Sequence, residues 1–254
     1  MNILGIGGYS HDSAAALVCD GVLVAGVAEE RLTRIKHQGG LPRKAIQYCL
    51  DLAGLDASDI DHVGCYMRPI RRVASRLVYR AGRFPLHPIY SLGYAGYELF
   101  HNAQFVRDMR SVGGPKTRLH FMEHHPAHAA SAFLVSPFEE AALMSIDYIG
   151  EMSSTWLGIG RGAKVQALRQ FAYPNSLGVF YSAVTEYLGF QRASDEYKVM
   201  GLASYGEPEF LEEFRSIVQP RGNGYAIDLS WMAYHYRPGS TRGYVSGKFL
   251  KRFG

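Results

Sequence analysis

Residues 3 to 34 and residues 140 to 172 follow one plan, and that repetition constrains the fold more than any other feature of the chain. The opening "MNILGIGGYSHDSAAALVCDGVLVAGVAEERLTR" reads as an apolar run from Ile3 to Ile6, a polar glycine turn, and a second run from Ala14 to Val18. The turn Asp20-Gly21 and a third run, Val22 to Val27, complete it. Asp-Gly between two apolar runs is a strong hairpin signal, because the tight two-residue turn needs left-handed backbone at both positions. The later stretch "AALMSIDYIGEMSSTWLGIGRGAKVQALRQFA" gives a strand ending at Asp147, a polar glycine turn, a strand through Trp156 to Ile159, a Gly-rich turn and a third strand. Hairpins are common and such likeness also arises by chance, but two three-stranded beginnings predict a duplicated α/β unit with mixed sheets.

Apolar residues at helical spacing in "RKAIQYCLDLAGL" predict a helix closed by a glycine, and "HVGCYM" after it reads as a buried strand. Residues 69 to 117 are aromatic and basic, a helical insertion with irregular connections. A further helix is expected from Tyr181 to Phe190. The last stretch, "GNGYAIDLSWMAYHYRPGSTRGYVSGKFLKRFG", shows no closing strand or helix pattern. The expected division is therefore residues 1 to 118 and residues 119 to 254, the second unit incomplete at its C-terminal end. An uncovered sheet and an unpaired edge predict marginal folding or self-association.

With 47% apolar residues and 28 glycines in 254, the chain suits a globular protein able to bury a core, which excludes disordered and fibrous classes. The formal charge of +4 is mild, and its one basic cluster, "RPIRRVASRLVYRAGR" at 68 to 83, fits a solvated helix face, an anionic-substrate site or, more weakly, a nucleic-acid surface. Cys19, Cys49 and Cys65 have neither disulfide-framework nor zinc spacing, so a reducing cytoplasm is expected. No apolar run approaches the roughly 18 residues of a membrane span. Neither a membrane nor a nucleic acid is an expected partner.

Three histidines crowd into "MEHHPAHAASAF" at 122 to 133. Pro126 suits the first turn of a helix, and on that helix His124 and His128, four apart, share a face and can reach one metal. Asp147, ending the next strand, is the natural third ligand. Two imidazoles with a carboxylate suit iron, manganese or zinc; alternatively such histidines cap a helix or bind an anion. In the turn "DYIGEMSST", Gly150 with Ser153 and Ser154 suits close approach of backbone to phosphate, and Asp147 with Glu151 suits a metal. The counterpart turn "GGYSHDS" offers His11, Asp12 and Ser13, with His11 a candidate for substrate contact or general acid and base work. Both are equally readable as ordinary polar turns.

Taken together, "GYSHDSAAALVCDG", "AEERLTRIKHQGGLP", "HHPAHAASAF", "DYIGEMSSTWLGIG", "SLGVFYSAVTEYLGF" and "DEYKVMGLASYGEP" resemble the O-carbamoyltransferases of the nodulation-factor and antibiotic-tailoring type. The likeness covers residues 3 to 208 in family order and is to the family's N-terminal domain, which implies an actin-like (ribonuclease H-like) fold whose paired hairpin turns hold phosphates. It implies transfer of a carbamoyl group from carbamoyl phosphate, through carbamoyl-adenylate made with ATP, to a hydroxyl of a small molecule. It implies iron held by His124, His128 and Asp147, with a fourth ligand, an aspartate, beyond Gly254. His11 would lie near the carbamoyl group, and Lys36 would act with it from the loop "RIKH". Asp12, Ser13, Gly150, Glu151, Ser153 and Ser154 would line the nucleotide site. Two positions depart from the family pattern: Tyr148 stands where a glycine is usual, and Ser204 replaces a proline-containing form. Family members run to more than twice this length, so the chain is expected to be an N-terminal portion, inactive alone and lacking a C-terminal domain. The competing readings are a non-catalytic scaffold module and a metal-dependent hydrolase, the latter disfavoured by the lack of a G-x-S-x-G nucleophile motif.

Overall fold

The computed structural model describes residues 1–82, 88–235 and 243–254, so part of the aromatic and basic stretch at 69 to 117 and part of the C-terminal stretch lie outside the described residues. The chain divides into two compact units, Met1–Ala127 and His128–Gly254, each mixed α/β.

In the first unit, strands β1 (Asn2–Gly7), β2 (Ala14–Cys19) and β3 (Val22–Ala28) form the expected antiparallel meander. Strands β4 (His62–Cys65) and β5 (Arg118–Phe121) add in parallel beyond β1, giving the order β3-β2-β1-β4-β5. Because β5 pairs with β4, residues 118 to 121 belong to the first sheet, and the unit runs past the division expected at 118. Strand alternation sends Leu4, Ile6, Leu17, Val63 and Cys65 to one face. There they meet Ala45, Ile46, Cys49 and Leu50 of helix α2 (Arg43–Ala53) and Phe105 and Met109 of the long helix α4 (Pro88–Arg110). Each such large apolar side chain contributes roughly 1.5–3 kcal/mol on burial.

Helix α2 begins without a capping side chain of its own. Glu29, at the head of the short helix α1 (Glu29–Thr33) and only 3% exposed, accepts instead from the α2 amides of Lys44 (3.1 Å) and Ala45 (2.7 Å). A carboxylate at a helix N-terminus satisfies orphan donors and complements the dipole. A second buried carboxylate, Glu98 of α4, is paired with Arg72 and Arg76 of α3 (Pro69–Ala81), so much of the basic cluster serves to neutralise a buried acid.

In the second unit, β6 (Glu140–Gly150), β7 (Ser153–Arg161) and β8 (Lys164–Ala172) form another antiparallel meander. Regular pairing of β6 with β7 stops at Ile146, next to the position where the sequence pattern ends the strand, and resumes only at Gly150. Helix α6 spans Leu177–Tyr187 and starts four residues before the expected Tyr181, because the Ser176 side chain caps it by accepting from Val179 N at 3.0 Å. Helices α7 (Glu196–Leu202) and α8 (Leu211–Ile217) follow.

The final stretch carries a small hairpin, β9 (Val218–Pro220) with β10 (Tyr225–Ile227), and a terminal helix α9 (Gly247–Phe253), where no closing element was expected. Its signal is aromatic rather than periodic. Phe249 packs on Tyr187 at 5.1 Å and on Phe253 at 4.4 Å, Trp231 lies 6.5 Å from it, and Phe214 lies 5.5 Å from Phe253. Seven residues are too few for a hydrophobic period to stand out, and a helix that short is held by packing instead. Among the described residues, no helix is long and apolar enough to cross a membrane.

Truncating Phe249, which is 1% exposed, to alanine should cost about 3–5 kcal/mol. Urea unfolding of wild type and variant tests this: an unchanged midpoint would show that α9 does not close the unit.

Candidate metal centre

Helix α5 (His124–Phe133) carries the histidine cluster, with Pro126 in its first turn, where a missing N–H leaves no bond unmade. At its far end Phe133 lies against Gly160 of β7, where an added Cβ would come within 2.5 Å of the ring. Only glycine lets the helix sit this close to the sheet. His124 and His128, one turn apart on α5, bring ring nitrogens within 4.8 Å of each other. The intervening His125 is 2% exposed and takes no part.

Asp147 lies in the stretch of β6 that has left regular pairing, so something else must fix its backbone. The Ser176 hydroxyl donates to Tyr148 O at 2.6 Å and lies 3.3 Å from Asp147 O, while still capping α6. Two residues on, Gly178 is so close that a Cβ would fall 2.6 Å from Asp147 O and 2.7 Å from Tyr148 N. The first turn of α6 is thus seated directly on the peptide that carries Asp147. The Asp147 carboxylate accepts from Tyr148 N through Oδ1 at 2.6 Å and turns Oδ2 toward His128 Nε2, 3.5 Å away. Contact with this carboxylate raises the His128 imidazole above its ordinary value, against partial burial, which lowers it. Two imidazole nitrogens on one helix face, with a carboxylate oxygen against the second, fit the donor set of iron, manganese or zinc. Tyr148, in the position where the resemblance leads one to expect glycine, is folded inward with its hydroxyl 3.3 Å from that of Tyr244.

The other singled-out residues divide by exposure. Gly150 and Ser153 pair across a two-residue turn in which Glu151 adopts a left-handed backbone, φ 59°. The Ser153 hydroxyl lies 3.4 Å from the carbonyl oxygens of Thr155 and Phe171. Ser154 is fully buried and donates to Asn175 O at 2.6 Å and Phe171 O at 3.1 Å. In the first unit Ser13 is likewise buried and donates to Gln38 O. Each hydroxyl is thus bonded to backbone carbonyl oxygen, one for Ser13 and two for Ser154, and helps to hold the turn that carries it. His11 and Lys36 are exposed, and Asp12 accepts from His11 Nδ1 at 2.8 Å and His37 Nδ1 at 2.9 Å. No sequence pattern marks Ser176, Gly178 or His37 as supporting residues. A serine three positions before a helical amide is a cap signal, but no sequence pattern says which distant peptide the same hydroxyl will hold.

The model of the carbamoyltransferase N-terminus matches residues 2–81 and 90–239. An uncharacterized protein of Synechocystis sp. is 37% identical over 262 residues, covering 100% of this chain and 42% of its own length. The nodulation protein NolNO of Sinorhizobium fredii is 37% identical over 227 residues, 87% of this chain and 32% of its own. NolO of Bradyrhizobium diazoefficiens is 45% identical over 112 residues, 42% of this chain and 20% of its own. The chain thus spans less than half the length of each of these relatives.

Asp147→Asn should lower the titration midpoint of His128 followed by NMR in metal-free protein. The group is raised in the folded state, so the contact contributes stability at pH below the ordinary imidazole value and loses it as pH climbs through the raised one. An unmoved midpoint would remove the contact from the account. Gly178→Ala should shift the Asp147 peptide and cost about 1–3 kcal/mol, read as a lower thermal midpoint together with a perturbed His128 resonance.

Proposed function

Since the chain belongs to the carbamoyltransferase family, of which it matches the N-terminal part, we propose that it forms the N-terminal part of an O-carbamoyltransferase. In this reading the reaction moves a carbamoyl group from carbamoyl-adenylate, itself made from carbamoyl phosphate and ATP, to a hydroxyl of a small molecule, and the chain works with further parts of a longer protein. The observation that carries the proposal is the seating of α6 on the Asp147 peptide, which aims a carboxylate at His128 beside a second imidazole on the same helix.

His124, His128 and Asp147 would hold the metal, with iron the first choice for this donor set. When bound, it supplies Lewis-acid polarisation of a carbonyl oxygen. His11, whose Nδ1 is engaged by Asp12, has Nε2 as the nitrogen to meet the carbamoyl group or the acceptor hydroxyl. Lys36, exposed on the following loop, supplies positive charge for the phosphate of the donor. Gly150, Glu151 and Ser153 form the turn that approaches nucleotide phosphate, with the buried Ser154 and Ser13 keeping their turns in shape. The aromatic-rich segment 84 to 105, with further parts of the longer protein, is the proposed source of acceptor selectivity.

His128→Ala should reduce bound metal from about one equivalent to near none at this centre, by elemental analysis. In the longer protein containing this chain, His11→Ala should slow transfer of labelled carbamoyl from carbamoyl phosphate to hydroxyl acceptors by roughly 10²-fold. Undiminished transfer by both variants would sink the assignment and favour a scaffold role.

A further inference from the structure

We propose that the first unit carries a second divalent-metal site, made by Asp12, Glu30 and His37 with His11 beside them, and suited to a transition ion of the zinc or manganese class. Ligand atoms of Asp12, Glu30 and His37 all lie within 4.8 Å of one another. His11 and His37 present the same ring nitrogen, Nδ1, to the two oxygens of one carboxylate, at 2.8 and 2.9 Å. The imidazole nitrogen of His37 with carboxylate oxygens of Asp12 and Glu30 forms a mixed N/O donor set, borderline in softness, which zinc and manganese accept. Ligands opposite each other across an ion with bonds of about 2.1 Å are about 4.2 Å apart, so the spacing needs only a small rotation to close.

The donors come from three places in the chain, and backbone contacts hold them in register. Gly40 N donates to Tyr9 O at 2.7 Å and Ser13 N to Gln38 O at 2.8 Å, tying the turn after β1 to the loop after α1. His37 N donates to Glu30 Oε2 at 3.1 Å, which fixes one ligand against another. Gly8 and Gly39 have no room for a Cβ, which would meet Asp12 O at 2.1 Å and Ser10 O at 2.7 Å respectively. A donor set fixed by its supporting shell before the ion arrives is the condition for useful affinity. Asp12 is half-exposed and His37 39% exposed, so an ion has a path in from solvent. Glu30 Oε1 lies 3.8 Å from Arg31, on the side away from His37, whose amide is bonded to Oε2. The proposal does not depend on the function assigned to the centre at His128.

The test is a titration of EDTA-treated full chain with Zn²⁺, and separately Mn²⁺, by calorimetry and elemental analysis, on wild type, His37→Gln, Asp12→Asn, His128→Ala and the double variant His37→Gln/His128→Ala. Wild type should take up about two equivalents of zinc, each single variant about one and the double variant near none. His37→Gln guards against misfolding, since its side chain is on the surface, and far-ultraviolet circular dichroism checks each variant. If His128→Ala changes nothing while His37→Gln loses an equivalent, the centre at His128 fails and this one stands. Wild-type uptake in both His37→Gln and Asp12→Asn would overturn the proposal, leaving a histidine-aspartate-histidine hydrogen-bonded chain with no ion.

Discussion

A single close packing contact governs the second unit: the first turn of α6 rests on the Asp147–Tyr148 peptide with no side chain between them. Strand β6 gives up its ladder at that point, and an unladdered strand end would ordinarily fray. Ser176 replaces the missing partners by capping its own helix and donating to Tyr148 O with one hydroxyl. Secondary structure, tertiary packing and the direction of a candidate ligand are thereby set by two small residues. A larger residue at either place would separate helix from strand before it altered any chemistry.

The two hairpins show how one plan is realised by different means. In the second unit the turn between the first two strands is as short as a hairpin allows, and it reaches its left-handed conformation at Glu151. In the first unit the corresponding turn is six residues long, from Gly8 to Ser13, and is stitched to a neighbouring loop by backbone bonds. The longer turn has room to present His11, Asp12 and, through the loop, His37, whereas the tight one exposes little beyond Glu151. Similar strand patterns therefore lead to a side-chain-rich locus in one unit and a backbone-rich locus in the other.

Much of this was legible in the sequence. The Asp20-Gly21 turn, both three-stranded meanders, α2 with its terminal Gly54 and the shared face of His124 and His128 follow from period, turn chemistry and helix geometry, all local properties. What was not legible is non-local. Nothing about Ser13 or Ser154 as residues says that each will be buried and bonded to a carbonyl oxygen some twenty residues along the chain. The α9 closure rests on rings brought together from positions 187 to 253, and the start of α6 on a cap, Ser176, five residues ahead of the expected start at Tyr181. Glu29 and Glu30 are adjacent and chemically alike, yet one is buried as a helix cap and the other lies among potential ligands, a distinction made only by which way the chain turns after them.

The stitching of the turn at Gly8–Ser13 to the loop at His37–Gly40 has an evolutionary consequence. Its bonds run between main-chain atoms, which every residue type but proline can supply, so the shape of this locus is insulated from most substitutions within it. Selection can exchange the side chains at positions 10, 11 and 36 while the frame beneath them persists, and only the glycines are barred from change. Such a locus can diverge in chemistry across a lineage at little risk to folding.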